Sequence, residues 1–408
     1  MWYRIARYFG IAIVAAGFAA AAMWSVRLGW ADYWFRKETL AGTERAIEIT
    51  PDRASYYYRL ALLSSDDHPA RAAEALERAL ELNPADAQSW IDLGLQYEAG
   101  GDNARAERCL LRAAEEDAEY LPRWTLANYY YRRNEPLRFW YWAKQAAGMA
   151  YGDPLPLFRL CGQMEEDGKL IDRLEIRNAS VRAGYLAYLV GQNRTDLAGG
   201  ASRSVIAENR EADTPLLLAV CDRLLEQGSA GEAGEIWNRL AETGRIPGGA
   251  RGSGTGSPIT NGTFSTAPSS RGFDWRLPEV DGVDAASEEG PGGLRLTFSG
   301  RQPERCEVLA QFVPVEENRT YSLRYRYHTS GIAAGTGLAW RISGANGSGS
   351  FGEGRDLSAE EEREDGVSFV TPAGCRLVRV SLVYQRSLGT TRIAGYVVLR
   401  SVAMELMK

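Results

Sequence analysis

The apolar residues divide the chain into four stretches. An unbroken apolar run from Tyr8 to Trp24 comes first, preceded by Arg4 and Arg7 and closed by Arg27. As a helix rising about 1.5 Å per residue it would be roughly 25 Å long, near the lower limit for crossing a bilayer. Trp2, Tyr3 and Tyr8 flank one end and Trp24, Trp30, Tyr33 and Trp34 the other, in the manner of interfacial aromatic belts. Residues 38–243 read as helical throughout and are dominated by Ala, Leu, Glu and Arg. Six glycines fall within residues 244–260, which read as a flexible linker. Beyond it the period changes to two: Tyr321, Leu323, Tyr325 and Tyr327 alternate with Ser322, Arg324, Arg326 and His328, as in an antiparallel sheet with one buried face. Further strand-like runs, such as Cys306–Val315, Arg376–Arg386 and Ala394–Leu406, are separated by Gly, Pro, Asn and Ser clusters.

The pattern therefore predicts a multidomain chain, α and then β. Residues 1–35 form a membrane anchor or signal peptide, 38–243 an α-solenoid, 244–258 a Gly-rich linker, and 259–408 an antiparallel β-sandwich. The glycines of the linker predict domains that move independently. Two arginines at the extreme N-terminus favour N-in insertion, with Arg27, Arg36 and Lys37 pulling the other way. A cleaved signal peptide, with Ala20, Ala21 and Ala22 near the cut, is the rival. Bulky Met23 and Trp24 after the alanines favour a retained, single-pass anchor, which places the body on the periplasmic side of an inner membrane.

Within the helical stretch a repeat emerges. Trp90, Leu93, Gly94, Tyr97, Ala106, Leu110 and Ala113 stand at offsets 0, 3, 4, 7, 16, 20 and 23. Leu126, Ala127 and Tyr130 follow thirty-three residues after Leu93, Gly94 and Tyr97, and Leu60 and Ala61 precede them by the same distance. Small residues at the crossing points let helical hairpins stack, and stacking buries faces that one hairpin cannot bury alone. The run Ala75–Trp90 resembles the second helix and exit turn of a tetratricopeptide repeat. The resemblance is specific over residues 54–120 and extends to about 150. After Pro154 it degrades, and Leu217, Val220, Cys221, Leu224, Ala233, Trp237 and Leu240 return to the same offsets.

The C-terminal segments Ile259–Phe264, Gly272–Trp275, Leu294–Gly300 and Phe312–Tyr327, with the closing strand pair, resemble jelly-roll carbohydrate-binding modules of the galactose-binding-like fold. The resemblance implies a glycan ligand, stacked on exposed rings. Trp275, Trp340 and Tyr384 are the candidate ligand-binding residues, although an aromatic in a sandwich strand also serves as core. The order of anchor, repeats and sandwich is similar to bacterial envelope proteins that act in export or assembly of surface polysaccharide.

Composition narrows the chemistry. A formal charge of -6 gives no nucleic-acid footprint. The chain has two histidines, His68 and His328, and five scattered cysteines, none at metal-ligand spacing, so neither a metal nor a cofactor is expected. Cys306 and Cys375 either pair in an oxidising compartment or remain buried thiols. The acidic run Glu360, Glu361, Glu362, Glu364 and Asp365 reads as a solvated loop, and no pair of carboxylates is singled out for glycoside hydrolysis. Residues 128–145 concentrate seven aromatic and four basic side chains, and Tyr129, Arg132, Arg133 and Arg138 are the candidate partner-binding residues. The expected function is a non-enzymatic, membrane-anchored scaffold that binds a protein partner through its repeats in envelope or exopolysaccharide assembly. In the alternative, the jelly roll is a carbohydrate-binding site and the repeats are a spacer. A glycan-cleaving enzyme is the third class weighed.

Overall fold

A computed structural model describes residues 2–149, 153–246, 257–288, 292–347 and 349–407. Most of the glycine-rich linker expected at 244–258 lies outside the described residues. The chain forms two compact units, residues 1–176 and 177–408.

The first unit is helical. Helix α1 runs without interruption from Trp2 to Phe35 and is followed by α2 (Leu40–Ile49), α3 (Ala54–Ser64), α4 (Pro69–Leu82), α5 (Ala87–Ala99), α6 (Asn103–Glu116), α7 (Tyr120–Arg132) and α8 (Pro136–Met149). Two short helices, α9 (Leu155–Cys161) and α10 (Leu170–Arg173), complete it. Helices α3, α5 and α7 begin 33 residues apart, at 54, 87 and 120, so the sequence period is a structural one. Proline at the start of α4 and the Asp102 carboxylate, which accepts from the Arg105 N–H at 3.0 Å, start second helices of the hairpins. Gly94 shows why a small residue recurs at the crossing. A Cβ there would lie 2.8 Å from Leu110, inside van der Waals contact with the partner helix.

Helix α1 has two parts. From Ala12 to Val26 its side chains are exposed, and residues 12–35 form the one stretch, among the described residues, long and apolar enough to cross a membrane. From Arg27 onward it packs on α2. Ala31 is buried against Ala46 and Tyr56, and the Arg27 Nε–H donates to the Ile49 carbonyl at 2.7 Å.

The second unit joins four helices to the sandwich: α11 (Ala179–Gly191), α12 (Thr195–Ala207), α13 (Thr214–Glu226) and α14 (Ala230–Glu242). Among the described residues nine strands follow: β1 (Val283–Ser287), β2 (Leu294–Ser299), β3 (Arg305–Pro314), β4 (Thr320–Ser330), β5 (Leu338–Gly344), β6 (Ser350–Glu353), β7 (Arg363–Val370), β8 (Leu377–Gln385) and β9 (Ala394–Leu406). They form two antiparallel sheets in the orders β1-β2-β9-β4-β7 and β3-β8-β5-β6. Strands β1 and β6 lack the alternating apolar signal. Glu364 and Asp365 belong to β7 rather than to a loop, paired across from Arg326 and Tyr325.

The core between the sheets corrects the ligand-site expectation. Trp275, Trp340 and Tyr384 have 0% exposure, and the rings of Trp275 and Trp340 meet at 5.8 Å. They fill the layer between the sheets, where rings this large supply most of the buried apolar area. No pyranose can stack on them there. Cys306 and Cys375 are free. Cys306 pairs with Tyr384, whereas Cys375 precedes Leu377, the partner of Pro314. Seven residues of strand separate those rungs, roughly 23 Å at about 3.3 Å each, far beyond the reach of a disulfide.

Helices α13 and α14 are docked on the sandwich, against the expectation of independent domains. The Asp222 carboxylate of α13 accepts from Gly272 N–H at 2.7 Å, Arg276 Nη2 at 2.7 Å and Arg271 Nη1 at 3.0 Å. The Arg276 backbone pairs in turn with Ala310 of β3, and its guanidinium lies 4.9 Å from the centre of the Phe312 ring. The Trp237 ring from α14 meets Phe273 edge to face at 6.0 Å and covers Gly272. Gly272 has φ +53 and no room for a Cβ under that indole. Asp222 and Arg276 are each 15% exposed. Asp222→Ala, which strands Arg276, is expected to lower stability by about 3 kcal/mol in chemical denaturation. Arg271→Ala removes a 56% exposed partner and should cost under about 1 kcal/mol.

Candidate functional site

The partner patch expected at the end of α7 is largely used inside the repeats. Tyr129 is 2% exposed, and its hydroxyl donates to the Asn103 carbonyl at 3.0 Å. It stands on the face of α7 that packs against the preceding hairpin, so it is corrected from partner-binding residue to core. Arg132 makes a two-pronged contact to Glu98 at 2.8 and 2.7 Å and ties α7 to α5. Arg138 reaches Glu107 at 2.6 Å and lies over the Tyr130 ring, whose hydroxyl donates to the same carboxylate. Arg133 is exposed at the C-cap of α7, with its backbone N–H on the Tyr129 carbonyl. Arg132 and Arg138 thus tie neighbouring helices of the array together.

An open groove lies instead among α4, α5 and α6, with a volume of about 590 Å³. Its floor is apolar: Leu80, Leu93 and Cys109 are buried, and Trp90 and Tyr97 are half-buried. Glu77 and Glu81 of α4 form one wall, and Arg105, Arg108 and Arg112 of α6 the other. The three arginines fall on one side because their spacing of three and four follows the helical turn. Trp90 is held by its indole N–H on the Pro84 carbonyl at 2.8 Å, and Tyr97 by its hydroxyl on Glu77, with Arg105 over its ring. Burial pushes the Cys109 thiol up to about 11, so it packs in the floor as a neutral apolar group. Such a groove can take an apolar side chain while guanidinium groups meet carboxylates beside it.

Elsewhere on α5, Asp92 accepts from the Tyr58 hydroxyl of α3 at 2.9 Å and from Gln88 at 3.0 Å. Burial raises its carboxyl above the ordinary carboxylate range, partly offset by those two hydrogen bonds.

On the sandwich, a second groove of about 650 Å³ opens on the outer face of the four-stranded sheet. Strand alternation turns Arg341, Arg379 and Ser381 outward, opposite the core residues Trp340 and Leu382, and a β-bulge between Glu307 and Leu309 turns Glu307 outward while Val308 and Leu309 stay in the core. Glu307 is fixed by Arg379 at 2.6 and 3.0 Å and by the Ser381 hydroxyl at 2.6 Å. Arg341 contacts Glu353 at 3.2 Å and Gln385 at 3.3 Å. The lining sets guanidinium, carboxylate and hydroxyl groups beside Cys306 and Val383 and has no aromatic ring, so hydroxyls and carboxylates are what its polar groups can hold. The sequence reads the segments that hold these arginines as strand-like runs, and only the sheet order β3-β8-β5-β6 brings them together.

No protein-family model matches the chain, and neither does any curated protein. Among solved structures, the chain is similar to a CBM4 structure, at 11% identity over 36% of this chain and 99% of that one, with a TM-score of 0.31. It is similar to TmCBM61, solved in complex with beta-1,4-galactotriose, at 14% identity over 38% of this chain and 100% of that one, TM-score 0.27. YrrB, a TPR protein with an unusual peptide-binding site, is similar at 17% identity over 49% of this chain and 91% of that one, TM-score 0.23. None of these likenesses carries a ligand or a partner over to this chain.

The raised Asp92 carboxyl has a stability consequence. A group whose folded pKa lies above its unfolded value stabilises the fold below the unfolded pKa, near 4, and loses that contribution as pH rises through the folded value. At neutral pH Asp92 therefore works against folding. Asp92→Asn, which keeps an acceptor for Tyr58, is expected to match or exceed the parent in urea midpoint at pH 7. The difference should close as pH falls toward about 4.

Proposed function

We propose that this chain is a membrane-anchored, non-enzymatic scaffold that holds a protein partner in the groove among α4, α5 and α6. The observation that carries this reading is the groove itself: an apolar floor of Leu80, Leu93 and Trp90 open between charged walls. The exposed apolar segment of α1 supports the anchor, with the body in the periplasm and α1 in the inner membrane. The setting proposed is envelope or exopolysaccharide assembly. An anchored scaffold acts there by effective concentration, raising encounter rates between components without a strong site of its own.

The test is photo-crosslinking of the full-length protein in its native membranes, with a benzoylphenylalanine at Arg108 in the groove or at Arg203 on α12. A discrete protein adduct from position 108, absent from 203 and lost with Arg105→Glu and Arg112→Glu, is expected. Equal adducts from both positions, or none from 108, would refute the groove as the docking element.

The second groove favours a further reading, in which the sandwich binds a glycan. The array of Arg341, Arg379 and Glu307 suits an acidic polysaccharide more than a neutral one, since guanidinium groups pair with uronate carboxylates. In affinity electrophoresis, a uronate polymer is expected to retard the full-length protein and Arg341→Ala to abolish the effect. Retardation by neutral and acidic polymers alike, unchanged in the variant, would place the ligand elsewhere.

A further inference from the structure

The junction between α1 and α2 sets how the first repeats meet the membrane. An α-helix without a break has no hinge, and α1 passes from its exposed apolar part into its packed part between Val26 and Arg27 with helical geometry throughout. The packed part is held at three levels. The Arg27 guanidinium is on the Ile49 carbonyl at 2.7 Å, Ala31 is sealed against Ala46, and the Phe35 ring meets Tyr56 of α3 at 4.7 Å. Helix α2 therefore descends alongside α1, and its last residue, Ile49, is level with Arg27. The turn that follows, residues 50–53, emerges at that level, and Pro51, Asp52 and Arg53 are exposed.

Arg27 also marks the end of the apolar segment. Its guanidinium lies 5.4 Å from the centre of the Trp24 ring, and exposed Trp24 and Trp30 bracket it as interfacial residues do. The headgroup layer on one side of a bilayer is only about 5–8 Å thick, some four or five residues of helix. A helix that buries residues 12–26 in hydrocarbon thus brings the neighbourhood of Arg27 into that layer. From these distances we infer that the α2–α3 turn, residues 50–53, is a lipid-contacting surface that lies among the headgroups. The α3–α4 turn, residues 65–68, is held away from them by the length of α3, roughly 16 Å for its eleven residues. The occupant is the bilayer surface rather than a protein, because the turn is continuous with the segment that spans the lipid. A soluble partner then reaches the first hairpins from their sides or their distal turns. The inference rests on the anchored reading above.

The test uses full-length protein in phosphatidylcholine–phosphatidylglycerol vesicles that carry a headgroup spin label as quencher. A dye is attached to Asp52→Cys or Asp66→Cys, with labelling of the parent subtracted. Flotation reports anchoring separately from position. In protein that floats, loss of fluorescence at position 52 and none at 66 is expected. Equal quenching, or quenching at 66 alone, in floating protein overturns this placement and leaves the anchor standing. Protein that stays at the bottom of the gradient sinks the anchor and the placement together. A Gly-Ser-Gly-Ser insertion after Val26 in the Asp52→Cys background should still float but lose the quenching. If quenching persists, helix continuity is not what holds the turn at the surface.

Discussion

The Asp222 carboxylate holds the helical and β parts of the second unit together. A carboxylate at 15% exposure is costly unless donors surround it, and here an arginine from each side of Gly272 and the Gly272 N–H itself supply them. Arg276 is constrained in turn, since its backbone is bridged to Ala310 of β3 and its guanidinium is layered on Phe312. Burial draws that guanidinium below the ordinary arginine value, and the Asp222 charge opposes the shift. Helix α13, the segment 271–276 and the edge of the four-stranded sheet therefore form one electrostatic unit, and the Trp237 indole over Gly272 seals it. The segment that precedes β1 is anchored as well: Gln311, fully buried, exchanges hydrogen bonds with Thr260.

The first unit depends on a different constraint, the close approach of helices at small residues. Gly94, Ala106, Ala113, Ala127, Ala143 and Ala146 are all buried where hairpins cross. Because these crossings repeat, large side chains at the intervening positions are either enclosed, as Tyr129 and Phe139 are, or left lining a groove, as Trp90 and Tyr97 are. The same stacking begins on α1, which packs against α2 from Arg27 to Phe35 and leaves its side chains from Ala12 to Val26 exposed. The exposed apolar segment and the start of the repeat array thus share one helix.

Both grooves sit where repetition or alternation leaves a face uncovered. Among the helices the floor is apolar and the walls carry opposite charge, which suits a peptide segment. On the sandwich the groove carries guanidinium, carboxylate and hydroxyl groups while the large apolar residues of the same strands have gone to the core, which suits hydroxyls and carboxylates. The contrast explains why aromatic residues were a poor guide to the sandwich. The sheet interior needs Trp275, Trp340 and Tyr384 for volume, and its outer face carries guanidinium groups instead.

Much of this architecture was legible in the order of residues alone. Periods of 3.6 and 2 reported helices and strands, the thirty-three-residue recurrence reported stacked hairpins, and the run from Tyr8 to Trp24 reported an apolar helix that nothing else in the chain resembles. Those signals are local, and each is imposed by a burial requirement that acts within one or two elements. What the sequence could not report were pairings between distant positions. Whether Tyr129 or Trp90 faces a groove depends on which hairpin covers it, and whether Trp340 is core or platform depends on the sheet opposite. Asp222 reads as one more surface carboxylate until Arg276, 54 residues later, is placed beside it. Helical docking on the sandwich, the polar groove and the level of the α2–α3 turn were decided only by tertiary structure, because charge compensation and side-chain contact are properties of neighbours in space.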